Sequence, residues 1–189
     1  AQAADADIDY SEFDTDNDGI VDSFFVVHAG EPDENGGGNG PEIWSHYYSI
    51  SPMVTDEGVK VIDYETVSES SPLGITIHEF GHYLGLPDMY DTVYDDGDSK
   101  GVGDWSIMGY GGYLAMPGSF DPWSKSYLGW LYDDNYVEVS EGGYYDVSVD
   151  SALYGIRYYL MPLAEDEYFM LENGREHELM KGDDAGGVL

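Results

Sequence analysis

Residues 78–88 read His78-Glu79-Phe80-Gly81-His82-Tyr83-Leu84-Gly85-Leu86-Pro87-Asp88. They complete a segment, 73–84, that follows Ser70-Ser71-Pro72 and keeps helical spacing up to Gly85. A helix is expected there, with a serine cap and a proline near its first turn. Side chains four apart on a helix share a face, so His78 and His82 can reach a single ion while Glu79 stands beside that face. Gly85 can take the positive φ that ends a helix and turns the chain back. Three residues on, Asp88 is placed to bring a carboxylate to the same ion. The pattern HExxHxxGxxD makes this helix the pivot of the fold.

Working outward, short apolar runs flank the helix. Residues 23–29 (SFFVVHA), rich in β-branched and aromatic side chains, read as a buried strand; 43–50 (IWSHYYSI) and 59–66 (VKVIDYET) read as two more. Glycine, aspartate and tyrosine dominate 88–112, which predicts long irregular structure. Asp121-Pro122 caps a second helix over about 123–130, and 144–149, 157–161 and 168–172 read as short strands. Strands, helix, loop, helix and strands make an α+β domain. The glycine-rich stretch 35–40 is a loop within it, because no change of composition follows. The ending Gly186-Gly187-Val188-Leu189 reads like the start of a strand, so the chain is expected to be cut at its C-terminus inside a larger protein.

Composition narrows the chemistry. The 189 residues are 42% hydrophobic and 15% aromatic, with 18 Tyr, as in a folded chain with a core. Six Lys and Arg stand against 39 Asp and Glu, a formal net charge of −33. Such a surface repels phosphate backbones and anionic lipid, which excludes nucleic acid as a partner, and it attracts cations such as calcium. No apolar run reaches the roughly 18 residues of a membrane span. With no cysteine, a metal site falls to His, Asp and Glu, and thiol nucleophiles are excluded.

Zinc suits two helical imidazoles, since it keeps an open position for water and lowers that water's pKa to about 7. The first glutamate after Glu79 is Glu138, too remote to be a good third ligand, and Asp88 is the nearer choice. The alternative is that Asp88 binds calcium, with Asp91 or water completing the zinc. Further on comes Ser106-Ile107-Met108-Gly109-Tyr110. In metzincin peptidases an HExxHxxGxx(H/D) helix is followed by a tight turn whose methionine lies beneath the metal, and this segment resembles that turn, with Met108 in the key place. Tyr110 has the offset of the tyrosine that stabilises the oxyanion in some metzincins.

HEFGHYLGLPDMYD (78–91), DWSIMGYGGY (104–113), DPWSKSYLGWL (121–131) and EYFMLENGRE (167–176) follow the order seen in immune inhibitor A-like metallopeptidases. Upstream, DTDNDGIVDSFFVVHAG and EIWSHYYSI are similar to strands preceding the zinc helix in that family. The resemblance spans 14–189. It implies a secreted bacterial zinc endopeptidase: a single metzincin-like catalytic domain over 1–189, with an upper subdomain of about 1–85 and a lower one of about 86–189. The upper part would hold a twisted, mostly parallel sheet and the active-site helix; the lower would be irregular, with the Met-turn and a C-terminal helix. It further implies a monomer within a longer multidomain chain acting on protein or peptide substrates. The family's usual Asn-Arg is interrupted here as Asn173-Gly174-Arg175.

The expected cofactors are one catalytic zinc, on His78, His82 and Asp88, and one or more structural calcium ions. Asp14-Thr15-Asp16-Asn17-Asp18-Gly19, then Asp22, matches a DxDxDG calcium loop, in which alternate carboxylates converge and glycine permits the turn. It is not an EF-hand, because Phe25 stands at loop position twelve. A second acidic cluster, Asp91, Asp95, Asp96, Asp98 and Asp104, is a further calcium expectation. His28, His46 and His177 read as structural or surface residues. Glu79 is the expected general base and acid, Tyr110 the oxyanion donor, and 43–49 the edge along which substrate extends. Two other readings stand beside this one: a catalytically silent calcium- and zinc-stabilised binding module, and a zinc hydrolase acting on a non-protein amide.

Overall fold

In the computed structural model, residues 1–35, 43–93, 99–114, 116–131, 136–139, 158–164, 167–174 and 187–188 are described. Contacts divide the chain into two compact units, Ala1–Gly85 and Leu86–Leu189.

The first unit builds a three-stranded sheet from β1 (Phe25–His28), β2 (His46–Val54) and β3 (Lys60–Ser68), in the order β1-β3-β2. The turn Thr55–Val59 is so short that β2 and β3 must pair antiparallel; the Thr55 amide donates to Val59 O at 2.9 Å, and Gly58 supplies φ 90°. β1 runs parallel to β3, with Phe25 opposite Glu65 and His28 opposite Ser68. Tyr10, Val21, Val59 and Val61 form a small buried core that Phe24 and Met53 pack against. The helix α1 (Leu73–Tyr83) packs on β3 and β2. It buries Gly74, Ile75, His78, Glu79 and Gly81, a set with helical three- and four-residue spacing.

Four expectations are corrected here. The run 23–29 forms a strand, but Phe25, Val26 and Val27 are exposed, because β1 is an edge strand paired on one side only. An apolar run measures fitness for a pleated surface rather than burial. No serine caps α1: its N-cap is Pro72, without a side-chain bond. Ser71 instead accepts from the Ser68 amide at 3.1 Å, and Ser70 pairs with the Ser68 hydroxyl at 3.0 Å, tying the turn to the end of β3. The expected mostly parallel sheet is mixed, since short turns force antiparallel pairing at β2–β3 and at the later hairpin. Finally, the second helix stops earlier than residue 130, as the second unit shows.

That helix, α2 (Pro122–Tyr127), starts on Asp121, whose carboxylate accepts from the Ser124 amide at 2.9 Å. It ends in a Schellman motif: Gly129, at φ 69°, donates to Ser126 O at 3.0 Å, and the Trp130 amide donates to Lys125 O at 2.9 Å. Four strands follow, β4 (Tyr136–Glu138), β5 (Tyr158–Ala164), β6 (Glu167–Gly174) and β7 (Gly187–Val188), in that spatial order. β4 pairs parallel with β5; β5–β6 and β6–β7 are antiparallel. Lys125 reaches Glu172 at 3.1 Å and lies over the Tyr158 ring, joining α2 to β6. The expected strand 144–149 lies outside the described residues. Among the described residues no helix is long and apolar enough to cross a membrane.

Candidate metal centre and active site

Two imidazoles four residues apart on α1 meet at their tips. His78 Nε2 and His82 Nε2 are 3.1 Å apart, with the rings crossed at 87°. Tetrahedral ligand atoms about 2.0–2.1 Å from one zinc lie about 3.3 Å from each other, so the pair is spaced for a shared ion. After α1, Gly85 adopts φ 92° and its amide donates to His82 O at 2.9 Å, so the chain leaves the helix in a tight turn. Asp88 then joins the two histidines: one ligand atom from each of the three lies within 4.8 Å of the others. Two imidazoles and one carboxylate form a donor set that fits zinc and leaves a fourth position for water. Glu79, one step from His78 on the same helix, is buried at 6% exposure.

Beneath the helix lies a carboxyl that sequence reasoning passed over. Glu65, at the centre of β3, is 2% exposed. Burial, and then the charge of Glu79, push its pKa up to about 7. Tyr83, on the same side, is pushed up to about 12, chiefly by burial and then by Asp63, Asp22, Tyr47 and Glu65. Nothing in the local sequence separates Glu65 from an exposed strand residue. Only the pairing of β3 with both neighbours, and α1 laid against it, bury it.

The turn at 106–110 is built from close backbone approaches. Met108 is fully buried, and its carbonyl accepts from the amide of Met89, the residue after Asp88, at 2.8 Å. A side chain at Gly109 would meet Gly103 O at 2.4 Å, so only glycine fits. Tyr110 is 37% exposed, with Tyr90 and Tyr113 at ring distances of 5.4 and 6.3 Å and the Lys100 ammonium over its face at 5.5 Å.

The DxDxDG loop brings three of its four predicted ligands together: Asp14, Asp16 and Asp18 each offer a carboxylate oxygen within 4.8 Å of the others. The Asp18 amide donates to Asp14 and Asp16, the Gly19 amide donates to Asp14, and Gly19 takes φ 85°. Asp22 is not in that group. It accepts from the amide and hydroxyl of Thr15, bonds that hold its carboxyl below the usual range. In the second acidic cluster, Asp91 accepts from the Val93 amide at 2.9 Å and Asp104 is exposed. Asp95, Asp96 and Asp98 lie outside the described residues, as does His177. His46 has both ring nitrogens engaged, by Trp44 O at 2.7 Å and the Tyr64 hydroxyl at 2.9 Å; His28 Nδ1 contacts Ala29 O at 3.2 Å.

Residues 3–137 match the immune inhibitor A peptidase M6 catalytic domain. The chain is 30% identical over 174 residues to Immune inhibitor A of Bacillus thuringiensis subsp. alesti, an overlap of 75% of this chain and 25% of that protein. It is 34% identical over 130 residues to the Pre-pro-metalloprotease PrtV of Vibrio cholerae serotype O1 (strain M66-2), covering 59% of this chain and 14% of the relative. The chain thus spans a quarter or less of the length of these relatives. With residues 3–137 matched by that model, the chain belongs to the immune inhibitor A family of M6 peptidases.

Proposed function

We propose that this domain is a zinc endopeptidase, with the metal on His78, His82 and Asp88. The convergence of those three side chains next to a buried Glu79 is the observation that carries the reading. Zinc there would supply a Lewis acid that polarises the scissile carbonyl and makes water acidic enough to attack. Glu79 takes the proton of the attacking water and returns it to the leaving amine. Its burial beside His78 keeps water from competing for that proton. Tyr110, half exposed and bracketed by aromatic rings, donates its phenolic proton in a hydrogen bond to the oxyanion. Met108 forms a fixed floor in the manner of a metzincin Met-turn. Among the described residues β2 is one of the two edges of its sheet, and its exposed neighbours Ile43 and Trp44 favour a substrate laid along 43–49 by strand addition. Calcium on Asp14, Asp16 and Asp18 completes the reading, as does secretion as one module of a longer chain.

The test is cleavage of casein by wild type and by Glu79→Ala, each with zinc and calcium supplied and metal content measured. Cleavage by wild type and a loss of at least about a hundredfold in the variant are expected, since general acid–base catalysis contributes 10²–10⁴. Equal activity in the two proteins would remove Glu79 from the chemistry. Zinc bound without any cleavage would favour a silent module.

A further inference from the structure

The turn that carries Met108 and Tyr110 hangs on one serine. Ser106 is wholly buried, and its hydroxyl donates to Asp121 Oδ2 at 2.7 Å while accepting from the amides of Met108 at 3.1 Å and Asp121 at 3.4 Å. A hydroxyl has one proton and two lone pairs, so this one is fully committed. The Ser106 carbonyl accepts from the amides of Gly109 at 3.0 Å and Gly111 at 2.9 Å. Those two glycines flank Tyr110, so its main chain is pinned from both sides. There is no slack to take up a shift: a side chain at Gly111 would lie 2.6 Å from Ser106 O.

Asp121 does two tasks at once. Its Oδ1 accepts from the Ser124 amide and its Oδ2 from the Ser124 hydroxyl at 2.7 Å, which caps α2. An N-cap side chain accepts from the first free amides of its own helix. This one is 3% exposed, and its Oδ2 also holds Ser106, fifteen residues earlier in the chain. Burying a carboxylate is costly, and here its hydrogen bonds run to the turn and to the helix start together.

The geometry points to Ser106 and Asp121 as positioning residues for the reaction, which fix the backbone on both sides of Tyr110 so that its phenol meets each substrate already placed. This rests on the role proposed for Tyr110 above. Neither residue is assigned contact with substrate; both act through the tyrosine.

The experiment is a double-mutant cycle on the full chain with zinc and calcium, reading kcat, KM and Tm on fluorescein-labelled casein. Ser106→Ala is expected to lower kcat about 10- to 100-fold, because a misplacement near 1 Å can cost that much, with KM within about twofold. Ser124→Ala, which loosens the same cap without touching the turn, should lower Tm and leave kcat unchanged. In the Tyr110→Phe background, Ser106→Ala should cost less than about threefold more, since coupled sites do not add. Losses that multiply, or an unchanged kcat in Ser106→Ala, would overturn the link between Ser106 and Tyr110. Full activity in Tyr110→Phe alone would overturn the tyrosine's role, a separate readout in the same cycle. Should Ser106→Ala fail to fold, Asp121→Asn, which preserves the shape of the cap, takes its place with the same expected outcomes.

Discussion

Among the described residues Glu65 carries the clearest pH dependence near neutrality. Its folded pKa is raised from 4.5 to about 7, so the folded chain holds this proton more tightly than the unfolded one between those values. Stability from this group is therefore fully present below about pH 4.5 and falls as pH rises toward 7. At about 1.4 kcal/mol per pH unit the loss is on the order of 3 kcal/mol. Glu65→Gln should be more stable than wild type by about that amount at pH 8 and indistinguishable at pH 4, in paired urea unfolding curves. A variant less stable at pH 8 would show that the ionised carboxyl is favourably held. The same residue marks a limit of sequence reading. The grouping of His78, His82 and Asp88 proposed to hold the metal was legible because its spacing is a helical period followed by a glycine, all local facts. Glu65 acquires its character from strand pairing and from α1, which no local pattern encodes. The bond between Ser106 and Asp121, fifteen positions apart, is hidden for the same reason, although the Asp121 cap itself was legible.

At the scale of elements, glycines separate backbone requirements from packing ones. Gly129 ends α2 at φ 69° with nothing within 4 Å of an added Cβ, so Gly129→Ala meets only the left-handed penalty. A loss of about 1 kcal/mol is expected, with kcat unchanged. Gly101, at φ 53°, is different: an added Cβ would lie 1.9 Å from Met89 O, the backbone next to Asp88. Gly101→Ala should lower both Tm and zinc occupancy, measured by thermal melts and metal analysis; full occupancy would show that the Met89 segment can yield without moving Asp88. Helix existence was readable from the period at α1 and from the Asp121 cap at α2, whereas the length of α2 was not. The second helix has acceptable residues through Trp130 but stops at Tyr127 because Gly129 turns left-handed. Likewise the apolar run in β1 predicted a strand correctly and its burial wrongly, since residue type does not say which strand lies at an edge.

Across the whole molecule, charge is the dominant long-range term. Thirty-nine acidic residues face six basic ones, so repulsion among like charges opposes the compact state at neutral pH. Screening shortens its reach from about 10 Å at 0.1 M salt to about 3 Å at 1 M. Tm should therefore climb with NaCl over that range, the reverse of a protein held by surface ion pairs. Calcium should act in addition and by a different law, because binding to the folded loop stabilises by about 2.7 kcal/mol when the free ion is a hundred times its Kd. Asp16 offers its carboxylate to the group at Asp14 and Asp18 without capping a helix or entering the core, so Asp16→Asn separates the two effects. The variant should keep the NaCl response and lose most of the calcium response in thermal melts at matched ionic strength. An intact calcium response would move the stabilising ion away from the DxDxDG loop, and a Tm that falls with NaCl would show that attraction between specific pairs outweighs the net repulsion.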